Sequence, residues 1–253
     1  MNAVRPPFGA DLPPWPEVDF AAFGPVERVA IPRVQKLGAA YLARNWVSIP
    51  HVTHHDEADI SGLDAVRAAL GARHPDIKIT PLAFIVKAAV AALRAHPKVN
   101  ASLDAAAGQL VLKKYFHIGI AIDTPTGLLV GVIRDCDRKG LAELAAEIAA
   151  VSKKAREKGL SVPEMSGGCF TVSSLGAIGG TGFTPIINAP EVAILGATKS
   201  QWKPTRGAED RVEWRLMLPL SLSYDHRVLN GADAARFVNS VAEALADPPG
   251  LAV

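Results

Sequence analysis

Apolar residues recur at intervals of three or four along several segments of the 253-residue chain, the spacing that places them on one face of an α-helix. The segment that follows Thr80-Pro81, LAFIVKAAVAAL, is apolar on most faces and therefore predicts a buried helix. In all, the pattern predicts helices over Pro32–Trp46, Ser61–Leu70 with Ser61 as the N-cap, the segment after Thr80-Pro81, Gly140–Lys158 and Gly231–Ala246.

Short apolar runs bounded by turn residues lie between these helices and are typical of β-strands. They cover Ile49–Ile60, two pieces within Leu110–Asp123, Leu128–Ile133, Cys169–Ser174, Val192–Gly196 and Leu216–Tyr224. The alternation predicts an α/β (α+β) fold with one mixed sheet flanked by helices. No G-x-G-x-x-G joins a strand to a helix and no G-x-x-x-x-G-K-[ST] occurs, so the sequence gives no support for a nucleotide-binding fold.

The composition narrows the class of protein. A hydrophobic content of 49% excludes global disorder, and a net charge of +2 without a dense basic block argues against nucleic-acid binding. No run of 18 uncharged apolar residues occurs, so no membrane span is expected. Two cysteines fit a reducing compartment, such as the bacterial cytoplasm or an organelle matrix.

Prolines are concentrated at the start of the chain, and they favour extended backbone over helix. Residues 1–23 are therefore predicted to form a linker or arm, and residues 24–253 the folded domain. Four aromatic residues, Phe8, Trp15, Phe20 and Phe23, suggest that part of the arm docks on a surface, while a disordered tail is an equal alternative for residues 1–12.

One polar turn carries the candidate chemistry. In the run SLSYDHRVLNGA, a strand leads into Asp225, His226 and Arg227, and Asn230 precedes the last helix. Histidine exchanges protons near neutral pH, so His226 at the mouth of a sheet is a candidate general base. The alternative from the residues alone is an ordinary loop histidine, with Asn230 as a helix N-cap.

Several long motifs, in one order along the chain, resemble the catalytic domain of dihydrolipoamide acyltransferases. They are RNWVSIPHVTHHDEADI, KITPLAFIVKA, IGIAIDTPTGLLVGVI, GGCFTVSSLGAIGGTGFTPIINAPEVAILG and LMLPLSLSYDHRVLNGADAARF. These acyltransferases are the E2 components of 2-oxo acid dehydrogenase complexes and share their fold with chloramphenicol acetyltransferase. The run NAPEVAILG is most similar to the pyruvate-type, acetyl-transferring branch.

The resemblance implies a mechanism. The histidine at His226 removes the proton from the thiol of coenzyme A or dihydrolipoamide, and a serine or threonine hydroxyl donates to the tetrahedral oxyanion. That hydroxyl is assigned to Ser173, with Ser174 as second choice, because strand alternation turns the two to opposite faces. Asn230 stands where the family more usually has an aspartate, which puts any salt bridge at that position in doubt.

The resemblance also implies partners. Family members form homotrimers in which histidine and serine come from different subunits, and the trimers build a cubic or a dodecahedral core that works with the E1 and E3 components and with lipoyl domains. Coenzyme A is a substrate, lipoamide is carried on a separate lipoyl domain, and no metal is used. No lipoyl domain is found in the sequence, and its proline-rich start resembles the linker before the catalytic domain, as expected of an excised core or a natural short form.

The histidines of the first strand and the two cysteines have structural interpretations, and two other functions remain open. His51, His54 and His55 are interpreted as solvated or interface histidines rather than metal ligands, with His51 and His55 on one face of a strand. Cys136 and Cys169 are interpreted as buried or incidental thiols. An inactive structural core and a chloramphenicol-acetyltransferase-like O-acyltransferase are the alternative functions.

Overall fold

The computed structural model describes residues 16–251. Its helices are α1 (Arg33–Ser48), α2 (Leu63–Arg73), α3 (Pro81–Ala95), α4 (Leu141–Lys158), α5 (Gly231–Ala246) and α6 (Pro248–Leu251). Its strands are β1 (His51–Asp59), β2 (Ala101–Asp104), β3 (Gln109–Leu112), β4 (Ile118–Thr124), β5 (Gly127–Ile133), β6 (Phe170–Ser174), β7 (Ala193–Ala197), β8 (Gln201–Arg206) and β9 (Val212–Asp225).

Local sequence explains where the main helices start and stop. Pro81 occupies the first turn of α3, where its missing N–H costs no hydrogen bond. Helix α4 ends at Gly159, which adopts a positive φ of 74° that glycine accepts without strain. Helix α5 begins at Asn230, whose side chain accepts a hydrogen bond from the Asp233 N–H, and Asp233 completes a capping box.

Seven strands form one mixed sheet in the order β1-β9-β7-β6-β4-β5, with β8 also paired to β9. Strand β6 pairs in parallel with both β4 and β7, and the other pairings are antiparallel. Strands β2 and β3 form a separate hairpin. The predicted fold class, a mixed sheet flanked by helices, is the one observed.

The two faces of the sheet differ in polarity. One face carries Leu218, Leu220, Leu222 and Tyr224 from β9 and packs against α3, α4 and α5 in the main core. The register of β9 turns the intervening residues to the second face. On that face lie small polar side chains and a minor apolar cluster of Ile49, Ile187 and Ile194.

Some element boundaries differ from prediction. Helix α2 is capped by Gly62 rather than Ser61, because the Ser61 hydroxyl donates to the Asp59 carboxylate 2.6 Å away and accepts from the Leu216 N–H. Strands β2 and β8 were not predicted, since neither carries a long apolar run. The arm prediction lies largely outside the described residues; within them, Asp19 caps a short 3₁₀ helix over Phe20–Ala22.

Helix α1 forms where its spacing predicts, yet its apolar side chains are exposed. Leu37, Tyr41 and Trp46 keep 50%, 56% and 57% of their surface accessible in this chain. A helix that exposes several large apolar groups to water is typical of a protein–protein contact surface.

A substitution at Phe237 tests whether α5 packs into the core as described. It is fully buried on α5, with its ring centroid 5.5 Å from that of Phe170. Replacing it with alanine leaves a cavity and is expected to lower the free energy of unfolding by about 3–5 kcal/mol. Urea unfolding at one protein concentration measures this. Asn239→Ala, two positions away on the exposed side of the helix, is the matched control and should change stability by less than about 0.5 kcal/mol; equal effects of the two substitutions would contradict the packing.

Candidate active site

The turn that carries His226 is closed by an ion pair. Asp225 is buried, with 2% of its surface exposed, and its carboxylate accepts from the Arg227 backbone N–H at 3.0 Å. The Arg227 guanidinium donates to the same carboxylate through Nε at 2.9 Å and Nη2 at 2.7 Å. This two-pronged contact favours the charged guanidinium and raises the pKa of Arg227. Asp225 and Arg227 therefore pair with each other on either side of His226.

Between them, His226 is turned outward. Its backbone N–H donates to the Pro50 carbonyl 3.0 Å away, which ties the turn to the start of β1. The imidazole is exposed and lies beside the buried Tyr224, with 5.7 Å between the ring centroids. The backbone at His226 is therefore fixed, while its ring remains accessible to a substrate.

Asn230 acts as the N-cap of α5, one of the two roles that the sequence left open. Its Oδ1 accepts from the Asp233 N–H at 2.9 Å, and the Asp233 carboxylate accepts from the Asn230 N–H at 3.3 Å. Because Oδ1 is occupied by the cap, the Nδ2 amide group is the part of Asn230 left to meet a substrate.

Ser173 and Ser174 face opposite sides of the sheet, as predicted. Ser173 pairs in register with Gly196 of β7, and Gly196 pairs with Ser221 of β9, so all three lie in one row on the second face. Ser174 pairs with Ala197 in the next row and is exposed at the strand end. Ser173 therefore shares its face with polar neighbours, and Ser174 points to the side on which the helices pack.

Within one chain, His226 and Ser173 do not meet. His226 follows Ser221 by five positions along β9, which amounts to about 17 Å at roughly 3.4 Å per residue. Two strand spacings of about 4.8 Å separate β9 from β6, so the backbone positions of the two residues lie about 20 Å apart. A hydroxyl at Ser173 cannot reach a group held by His226 of the same chain.

Two of the three histidines of β1, His51 and His55, have hydrogen-bond partners within the chain. His51 accepts from the Ile187 N–H through Nε2 at 3.0 Å, and its Nδ1 lies 2.8 Å from the Ile49 carbonyl, to which it donates. Asn45 of α1 donates to the Ile187 carbonyl at 2.9 Å. His51 and Asn45 together hold the segment 175–192 against the start of β1, next to the His226 turn. His51 and His55 share a face, as predicted.

Between residues 16 and 251, no group of three or more His, Cys, Asp or Glu residues is arranged to hold a metal ion. Within the same range, every helix is too short or too polar to cross a membrane. Cys136 and Cys169 are buried, as predicted, and burial raises the pKa of Cys136 to about 12 and of Cys169 to about 11. Neither thiol is poised as a nucleophile.

Glu191 is a buried carboxyl group that the sequence analysis missed. It accepts from the Thr171 hydroxyl at 2.7 Å and from the Asn188 amide at 3.3 Å, and only 4% of its surface is exposed. Burial raises its pKa to about 7. Its signal in the sequence is a carboxylate placed directly before the apolar run VAILG, but the sequence does not show that the side chain turns inward.

The chain matches a protein-family model described as 2-oxoacid dehydrogenases acyltransferase (catalytic domain) over residues 23–253. Curated relatives include the dihydrolipoyllysine-residue acetyltransferase components of the pyruvate dehydrogenase complexes of Haemophilus influenzae and Cupriavidus necator. The first is 51% identical over 97% of this chain and 44% of the relative, and the second 55% identical over 93% and 42%. The chain thus spans less than half the length of these relatives.

Solved structures with high similarity to this chain come from the same family. The dihydrolipoamide acetyltransferase (E2p) of Azotobacter vinelandii is 49% identical with a TM-score of 0.92, covering 96% of this chain and all of that one. The cubic core of a pyruvate dehydrogenase multienzyme complex is 50% identical with a TM-score of 0.91 and the same coverage. A chloramphenicol acetyltransferase, 17% identical with a TM-score of 0.55, shares the fold. The resemblance and the chloramphenicol-acetyltransferase-like fold expected from the sequence are confirmed.

Glu191 makes stability depend on pH. Because its pKa rises from 4.5 to about 7 on folding, the folded chain holds this proton more tightly than the unfolded chain. Its contribution to stability is full below pH 4.5 and is lost as the pH rises to about 7. Glu191→Gln, which keeps a neutral side chain of the same shape, should remove this loss.

Urea unfolding at several pH values between about 5 and 8 measures the difference. The exposed Glu157→Gln, on α4, is the control and should keep the wild-type pH dependence. Identical pH dependence in wild type and Glu191→Gln would show that Glu191 does not titrate in this window.

Proposed function

The chain belongs to the 2-oxoacid dehydrogenase acyltransferase family, and on that premise we propose that it transfers an acetyl group between dihydrolipoamide and coenzyme A. The observation that carries the proposal is an exposed imidazole on a backbone fixed at the end of the central strand, in a chain whose relatives of about 50% identity are acetyltransferases. In either direction one substrate is a thiol and the other a thioester, so one base can serve both directions of the reaction.

The relatives named above are acetyltransferases, which supports acetyl as the group that is transferred. The Azotobacter structure belongs to a study of a serine, a histidine and an asparagine in the catalytic mechanism of that enzyme, and its asparagine follows its histidine by four positions. Asn230 follows His226 by the same interval in this chain. An asparagine four positions after the histidine therefore occurs in an enzyme whose catalytic mechanism has been studied. This argues against an inactive structural core in which Asn230 would be the cause of the lost activity.

Proton removal is the role we assign to His226. A thiol has a pKa of about 8.5 and is mostly protonated near neutral pH, so its sulfur needs a base as it attacks the thioester carbon. The imidazole takes the S–H proton while the S–C bond forms. When the tetrahedral intermediate collapses, the other S–C bond breaks and the imidazolium returns the proton to the departing sulfur.

Stabilisation of the oxyanion is the role we assign to Ser173. The thioester oxygen gains negative charge in the tetrahedral intermediate, and a hydroxyl already aimed at that position stabilises the charge without reorganising. Ser173 is half-buried on a regular strand, which fixes its direction. Asn230 offers its Nδ2 amide beside the His226 turn, as a donor to the bound substrate.

The distance of about 20 Å between His226 and Ser173 supports a complete site formed between two subunits. We therefore propose a homotrimer, with the exposed apolar residues of α1 at its contacts and with trimers assembled into a larger core. The core structure with a TM-score of 0.91 supports this assembly.

Partners and location follow from the same family. We propose that the chain works with the E1 and E3 components of a 2-oxo acid dehydrogenase complex and with lipoyl domains that carry the acyl group. Since the relatives named above are bacterial, the bacterial cytoplasm is the location we assign, rather than an organelle matrix.

Acetyl transfer from acetyl-CoA to dihydrolipoamide tests the function. The wild-type chain should catalyse this transfer. His226→Ala should lower kcat by about 10²–10⁴-fold, because the base is lost, and Ser173→Ala by about 10²–10³-fold, because an oxyanion donor is lost. His54→Gln is the control: it removes a histidine of β1 whose register neighbour, Leu222, lies on the helix-covered face, and it should keep wild-type kcat.

The same assay distinguishes the alternatives. A wild-type chain without turnover would overturn the enzyme proposal in favour of a structural core. Activity on small alcohols and none on dihydrolipoamide would favour an O-acyltransferase. A large loss in Ser174→Ala with none in Ser173→Ala would move the oxyanion role to Ser174.

A further inference from the structure

The buried carboxyl group of Glu191 lies in a space that two glycines leave open. A Cβ built on Gly168 would lie 3.0 Å from Oε1 of Glu191. A Cβ built on Gly119 of β4 would lie 2.7 Å from Oγ1 of Thr171, the hydroxyl that is hydrogen-bonded to Glu191. Side chains at either position would crowd this pair. The fold therefore makes room for a carboxyl group that has no role in the steps assigned above.

Glu191 connects the two parts of the chain that carry the proposed catalytic residues. Thr171 precedes Ser173 by two positions on β6, so their side chains lie on the same face of the sheet. Directly after Glu191, the Val192 carbonyl accepts from the Asp225 N–H at 2.8 Å, where the turn that carries the base begins. A displacement of Glu191 therefore acts on the backbone of that turn.

Two titratable side chains face Glu191 from the elements packed on its inner side. The Lys113 ammonium, which follows β3, donates to the Ala101 carbonyl at 3.2 Å, and the Cys169 thiol lies buried just before β6. The positive charge of Lys113 and the hydrogen bond from Thr171 favour the ionised carboxyl, but burial has the larger effect and raises the pKa of Glu191 to about 7.

A cavity of about 230 Å³ opens beside Glu191, between the end of α1 and the His226 turn. Arg44 and Arg227 line this cavity, together with the buried Asp225. A carboxyl group that ionises in a buried position gains free energy by turning toward cations and water, since an unpaired buried charge is costly. In the cavity it competes with Asp225 for Arg227, and that ion pair closes the His226 turn.

We propose that Glu191 is a positioning residue for His226, and that the His226 turn has its catalytic arrangement while Glu191 carries a proton. The inference rests on the proposed function. The neutral acid keeps both contacts, because its carbonyl oxygen accepts from the Asn188 amide and its O–H donates to the Thr171 oxygen across the same contact.

Ionisation changes the turn through Arg227. The carboxylate of Glu191 draws the guanidinium into the cavity, and the contact between Arg227 and Asp225 loosens. Because His226 lies between these two residues, its imidazole is then less well placed to take the proton from the thiol. Glu191 itself touches neither substrate in this account, so its effect is on kcat rather than on the affinity for either substrate.

The dependence of kcat on pH tests the proposal. Rates of acetyl transfer at saturating acetyl-CoA and dihydrolipoamide are compared between wild type and Glu191→Gln, whose amide has the shape of the neutral acid and cannot ionise. Near pH 6 the two chains should have similar kcat. Near pH 8 about one wild-type chain in ten keeps the proton, so kcat of Glu191→Gln should exceed that of wild type by about 10-fold. Titration of His226 and of the thiols is common to both chains and cancels in this ratio.

Two further variants make the test specific. Thr171→Val removes a hydrogen bond that favours the ionised form, so the pKa of Glu191 should rise and the loss of kcat should move to higher pH. This variant also provides the test if Glu191→Gln does not fold. The exposed Glu157→Gln, on α4, is the control and should keep the wild-type profile.

The outcomes separate the two proposals. A wild-type chain that transfers no acetyl group at any pH overturns the proposed function itself. An active wild type whose kcat stays in a constant ratio to that of Glu191→Gln between about pH 6 and 8 overturns the positioning role, because the carboxyl group then only supports the fold. A ratio that changes with pH, with the shift to higher pH in Thr171→Val, supports it.

Discussion

The register of the central strands is the constraint on which the site depends. Ser173, Gly196 and Ser221 are held in one row by backbone hydrogen bonds of three neighbouring strands, and His226 follows five positions farther along β9. Backbone pairing cannot slip by a residue without turning the buried face of each strand to water. The separation of His226 and Ser173 is therefore fixed by the fold, and it is too long for the roles we propose for them to be carried out within one chain.

Other features agree with a site that is completed by a second subunit. The second face of the sheet is polar, and α1 exposes Leu37, Tyr41 and Trp46 to water. By contrast, the His226 turn is fixed within its own chain by the Asp225–Arg227 pair and by the hydrogen bond to Pro50. In the site we propose, each chain supplies a histidine at one end of the sheet and a serine at the other, and oligomerisation brings the two together.

The sequence predicted much of this arrangement. Periodicity located the five long helices and most strands of the main sheet, because these elements bury a regular apolar face. It missed β2 and β8, which lie at the periphery, and it placed the α2 cap on Ser61, whose hydroxyl instead bridges Asp59 and Leu216. The family motifs supplied His226, Ser173 and Asn230. They did not supply Glu191 or the His51–Ile187 contact, because these depend on which chain segments cross the second face, and local spacing carries no information about that.

Coexpression of the His226→Ala and Ser173→Ala chains, carrying different purification tags, tests the central claim most directly. If each site takes its histidine from one subunit and its serine from the next, mixed oligomers contain intact sites. Each mixed trimer then has one intact site of three, so purified hybrid trimers should recover roughly a third of wild-type acetyl transfer, whereas each variant alone keeps only its residual activity. Hybrids that carry both tags and remain as inactive as the parents would contradict a shared site.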